Sequence, residues 1–94
     1  MEISSSSNII TIKGNIKALS HYNAIKGEID NIINDFSHVK IQILESISIT
    51  SSIIGYLCNI TKQGVNIEMH VQDEGLIDLL DDLNLVSLFN VRKI

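Results

Sequence analysis

Residues 65–71 read Val-Asn-Ile-Glu-Met-His-Val, with Val65, Ile67, Met69 and Val71 separated by Asn66, Glu68 and His70. Successive strand residues point to opposite faces, so this alternation requires a sheet with one dry face and one wetter face. Strands covered on both sides would read as continuous apolar runs. Residues 39–44 alternate in the same way, with Val39, Ile41 and Ile43 facing together. Residues 8–13 set Ile10 and Ile12 against Thr11 and Lys13, and Gly14-Asn15 closes the run with a turn signal. Helices that cover such a sheet must gather mainly on one face.

Between these strands the period changes. Tyr22, Ile25, Ile29, Ile32, Ile33 and Phe36 recur at steps of three and four, predicting a helix over about 20–36 with Ser20 as its N-cap. Over 51–63, Ile53, Ile54, Leu57, Cys58, Ile60 and Thr61 form one broad arc of a second helix. Ser51, Ser52, Gly55, Asn59, Lys62 and Gln63 form the other arc, Tyr56 sits at the edge, and Gly64 is a suitable stop. Asp73 can cap a third helix running to about Leu83, with Asn84 ending it in a left-handed turn. Leu85, Val86, Leu88 and Phe89 form a closing apolar cluster, suited to a short helix, before Val91 returns to the sheet. Ser4 to Ser7 reads either as a flexible turn or as part of a tight first hairpin. The order β, α, β, α, β, α has no repeat or linker, so residues 1–94 form a single α/β domain. Its sheet is mixed, with about four to five strands.

Ninety-four residues at 45% hydrophobic and 19% charged allow one layered core. The net charge of −4 and the scattered Lys13, Lys17, Lys26, Lys40, Lys62, Arg92 and Lys93 give no footprint for nucleic acid. No apolar stretch approaches the roughly 20 residues that cross a bilayer, and Met1 to Ser5 lacks the pattern of a signal peptide. No membrane insertion is expected, and the chain reads as cytoplasmic.

Groups that could carry chemistry are dispersed. His21, His38 and His70 are spread along the chain, with no second histidine or cysteine at i+2 or i+4 from His38 or His70, so no metal site is expected. Cys58, alone on the apolar arc, reads as an inert core thiol. Asp73, Glu74, Asp78, Asp81 and Asp82 read as a helix start and a solvated outer face. Gly14, Gly27, Gly55, Gly64 and Gly75 are isolated, excluding glycine-rich phosphate loops. Neither a cofactor nor an enzymatic activity is expected.

Ile47-Ser48-Ile49-Thr50-Ser51-Ser52-Ile53-Ile54-Gly55 joins a strand to a helix. Ser51 or Ser52 would sit at the helix N-terminus, where capping alone would explain a serine. The outer arc, Ser52, Gly55, Tyr56 and Asn59, is small and nearly uncharged. A glycine inside a helix costs about 1 kcal/mol relative to alanine. Close approach of a partner would explain Gly55, and tight packing within the domain would explain it equally well.

The sequence resembles the STAS family, named for sulfate transporters and anti-sigma-factor antagonists, over nearly its whole length. Ile12-Lys13-Gly14-Asn15-Ile16 matches the end of the family's early strand and its Gly-x-Leu/Ile turn, and Val39 to Leu44 matches its central strand. Thr50-Ser51-Ser52-Ile53-Ile54-Gly55 lies where antagonists carry Asp-Ser-Ser/Thr-Gly-Leu-Gly. Gln63 to Ile67 fits the next helix-to-strand step, and Leu83-Asn84-Leu85 through Phe89 fits the closing Leu-x-Leu…Phe segment. Thr50 stands in place of the usual Asp, Ile53 in place of the first Gly, and Lys17 in place of an acidic residue.

The resemblance implies a STAS-like fold and a partner switch. Ser51, with Ser52 beside it, would be phosphorylated by an anti-sigma factor of the serine-kinase type and restored by a phosphatase. Ser51, Ser52, Gly55, Tyr56 and Asn59 would form the docking surface. The alternative is a constitutive STAS-like adaptor that docks on a transporter ATPase or a signalling assembly without phosphorylation.

Overall fold

The computed structural model describes all of residues 1–94. Strands β1 (Glu2–Ser6) and β2 (Ile9–Lys13) lead into α1 (Leu19–Asp35), and β3 (His38–Leu44) into α2 (Ser51–Lys62). β4 (Asn66–Val71) then leads into α3 (Glu74–Asp82), and β5 (Val91–Lys93) closes the chain. The Ser4–Ser7 run therefore belongs to a hairpin, with Ser7 turning at φ 57°. The final apolar cluster forms a hydrogen-bonded turn, Phe89 N–H to the Leu85 carbonyl at 3.0 Å, and not a helix.

The five strands lie in chain order, β1-β2-β3-β4-β5. β1 is antiparallel to β2, and every later pair is parallel. Each parallel pair is joined through one helix, and such crossovers are right-handed with few exceptions. Three crossovers of one hand, all stepping in one direction, place all three helices on the same face. The register agrees: Ile10, Ile41, Met69 and Val91 align across the sheet, as do Ile12, Ile43 and Val71. Those on β2, β3 and β4 are buried, together with Val39 and Ile67.

Onto this face α1 packs Ile25, Ile29 and Ile32, α2 packs Ile53, Leu57 and Ile60, and α3 packs Leu76 and Leu80. With Ile16, Leu85 and Phe89 they form one core cluster of 19 residues. The opposite face carries the row Ser4, Thr11, Gln42, His70 and Arg92 and stays partly open to water.

Local chemistry sets the helix limits. Asp73 caps α3, its carboxylate accepting from the Leu76 amide at 2.9 Å. Gly64 and Asn84 follow α2 and α3 with φ of 95° and 60°, the left-handed conformation that ends helices. At α1 the expectation of a Ser20 cap is corrected: Ala18 holds the cap position and Ser20 lies inside the helix. No side chain caps the first-turn amides; His21 instead reaches back, its Nδ1 accepting from the amides of Lys17 at 3.1 Å and Ala18 at 3.2 Å. Residues outside the helix that would otherwise rely on water for a partner are thereby satisfied.

Candidate functional site

The parallel strands β2, β3 and β4 deliver their following connections to one end of the sheet, so the 14–18 and 45–50 segments and the Gln72–Asp73 step meet there. The 45–50 loop is held firmly. The Ile47 amide donates to Asn15 Oδ1 at 3.0 Å, the Ser48 hydroxyl to the Ile16 carbonyl at 3.1 Å, and the Glu45 amide to Gln72 Oε1 at 2.8 Å. Ser46, the one buried polar residue, donates to the Ser48 carbonyl at 2.9 Å. Asn15, Ser46, Ser48 and Gln72 thus fix the entry to α2. Their sequence signal is only a cluster of small polar residues between periodic segments, which specifies a connection and no partners.

At the start of α2 the structure corrects the choice of cap. Thr50, not Ser51 or Ser52, occupies the cap position, and its Oγ1 accepts from the Ile53 amide at 3.3 Å. Thr50 also supplies the first helical acceptor, its carbonyl taking the Ile54 amide at 3.1 Å. The amides of Ser51 and Ser52 therefore have no partner within the helix. Both serines are exposed, and no acidic residue occupies the first turn. Capping no longer explains the serines.

Down the same helix, Ser52, Gly55 and Asn59 are exposed. A Cβ built on Gly55 would meet nothing within 4 Å, so tight packing inside the domain does not account for this glycine. Ile53, by contrast, is 2% exposed and anchors the helix start in the core.

Tyr56 departs from the free rim position expected of it. It is half-buried against α1, and its hydroxyl donates to Asp30 Oδ1. Lys26 Nζ lies 2.7 Å from the other Asp30 oxygen and 5.4 Å from the Tyr56 ring centre. The three side chains fasten α1 to α2. The Lys26 hydrogen bond, followed by that from Tyr56, holds the Asp30 carboxyl below its usual range. Burial, aided by Asp30, pushes the Tyr56 phenol above its usual range. The Asp30 hydrogen bond raises Lys26 in turn.

Of the expected site residues, then, Ser51, Ser52, Gly55 and Asn59 lie exposed on one helix, and Tyr56 borders them with its hydroxyl committed elsewhere. Cys58 is partly buried beside the core as a free thiol. No three His, Cys, Asp or Glu side chains are placed to hold a metal ion. On the open sheet face, Glu68 Oε2 lies 2.8 Å from His70 Nε2 and 3.9 Å from Lys40 Nζ, and the His70 contact holds its carboxyl below the usual range. A shallow depression lined by Glu2, Ile3, Ser4, Thr11 and Lys13 lies at β1 and β2, on elements separate from α2. No helix is long and apolar enough to cross a membrane. Comparison with known protein families, characterised proteins and solved structures finds no match for this chain.

Proposed function

We propose that this chain is a non-enzymatic regulatory domain of the anti-sigma-factor-antagonist kind, acting in the cytoplasm. It binds a protein partner through the start and outer face of α2, and phosphorylation of Ser51 switches that binding off. The observation that carries the reading is the pairing of two exposed serines, freed from capping by Thr50, with an exposed glycine that internal packing does not require.

Ser51 Oγ would take the γ-phosphoryl group of ATP held by a serine-kinase-type partner, losing its proton and releasing ADP. Hydrolysis by a phosphatase would return the serine and inorganic phosphate. The added group carries about −1.5 to −2 charge. Within the domain it sits beside unpaired amides at a helix N-terminus, a favourable place for an anion. A neutral partner surface seated over Ser52, Gly55 and Asn59 would instead have to bury that charge, which is strongly unfavourable. Binding is lost and the fold is kept. Thr in place of Asp at position 50 preserves the cap, since both side chains accept from the first-turn amides.

Intact mass of the protein recovered from its own host tests this directly. A single phosphate present in wild type and Ser52→Ala, and absent in Ser51→Ala, is the expected result. Protein that never carries phosphate, yet binds its partner equally well as Ser51→Ala, would replace the switch with the constitutive adaptor.

A further inference from the structure

We propose that the outer flank of α3 is a second docking surface, built for a basic amphipathic segment of a partner protein and independent of Ser51. Leu79 and Leu83 are 40% and 48% exposed, and the Leu83 amide bonds the Leu79 carbonyl at 3.1 Å, placing them one turn apart on the same stripe. Residues three and four apart are neighbours on a helix surface, so Asp78 and Asp82 form a parallel acidic stripe beside the leucines. Leu88, 45% exposed in the turn after α3, adds apolar surface at this end of the domain.

Nothing inside the protein answers this charge. Lys13, Lys26, Lys40 and His70 form all the ion pairs, with Glu45, Asp30 and Glu68. Glu74, Asp78, Asp81 and Asp82 have none, although β5, which packs against α3, carries Arg92 and Lys93. Asp81 and Asp82 also occupy the last turn, which has no basic residue. A helix C-terminus carries partial negative charge and disfavours carboxylates. The arrangement opposes local stability, and cations from outside would relieve it.

The occupant follows from the two stripes. Leucines at a spacing of four, flanked by carboxylates at the same spacing, match a helix with an apolar stripe and Lys or Arg one turn apart beside it. Nucleic acid and anionic lipid are repelled by the same carboxylates. A second copy of this chain is poorly matched, because α1 and α2 carry one lysine each, Lys26 and Lys62, and α3 carries none.

The test titrates isotope-labelled protein with a short synthetic leucine–lysine amphipathic helix and with a scrambled peptide of identical composition, following amide resonances. Shifts confined to residues 74–90, with the scrambled peptide bound at least about ten-fold more weakly, are expected. Asp78→Asn with Asp82→Asn, and separately Leu83→Ser, should each weaken binding about ten-fold. All three positions are exposed, so these variants should fold. Ser51→Ala should bind as wild type does. Equal affinity for both peptides, shifts spread over the whole chain, or self-association through α3 without peptide would each overturn the proposal.

Discussion

Replacing Tyr56 by Phe removes one hydroxyl and leaves the ring where it packs, so it isolates the bond that ties α2 to α1. A hydrogen bond to a charged group contributes about 1.5–3 kcal/mol when well buried. Here the Asp30 side chain is 44% exposed and keeps Lys26 as a second donor, so solvent screening reduces the expected loss to about 1 kcal/mol. Small proteins lose roughly 1–3 kcal/mol per molar urea, so the midpoint should fall by about 0.3–1 M with the slope unchanged. The loss should disappear in an Asp30→Ala background, which has no acceptor for the hydroxyl, because the two side chains act through one contact. Protonation gives a second signature. Asp30 is depressed in the folded state, so its contribution is present above the unfolded value of about 3.9 and is lost as pH falls through the folded value. Tyr56 is raised, so its contribution is complete below about pH 10 and is lost as pH rises through the folded value. The deficit of Tyr56→Phe should therefore shrink at both extremes. A change smaller than ~0.3 kcal/mol at neutral pH, or full additivity with Asp30→Ala, would refute the reasoning.

Gly55→Ala should stabilise the domain by about 0.5–1 kcal/mol in thermal or urea melts, since α2 has room for the methyl group, while weakening partner capture. If capture is unchanged, the glycine is not there for the partner. Gly14→Ala should destabilise by at least about 1 kcal/mol, because φ is +101° and its Cβ would lie 3.2 Å from the Met1 Cα. Thr50→Ala should cost about 1 kcal/mol by removing the α2 cap, and Thr50→Asp should restore it. Phe89→Ala, at a fully buried position, should cost roughly 3–5 kcal/mol and lower the melting temperature by many degrees.

Legibility followed the range of the interaction. The strands β2 to β4 and the helices were readable because alternation and the 3.6-residue period are written in neighbouring residues. Asp73, Gly64 and Asn84 were readable because caps and stops act within one turn. The Thr50-Ser51-Ser52 triplet offered three chemically competent caps, and only the backbone placed Thr50 in the role. The role of His21 was invisible because its ring reaches back to the amides of Lys17 and Ala18, outside the usual repertoire of short polar side chains. β1 was legible only as one of two options for the Ser4–Ser7 run, a turn or a hairpin, because Ile3 is its single apolar residue. Asp30 and Tyr56 lie 26 residues apart and meet only when α1 and α2 lie side by side on the sheet. The bracing of the 45–50 loop by Asn15 and Gln72 has the same origin.

The strands stack in the order in which they are synthesised, so every backbone ladder joins consecutive segments and the molecule grows outward from β3. Opening should therefore begin at its two margins, where β1 and the three-residue β5 each have a neighbour on one side only. Amide exchange should be slowest at Ile41, Ile43, Ile67 and Met69, and quicken in steps toward either end. The α3 flank, next to the fast-opening margin, can then loosen without disturbing the platform beneath Ser51.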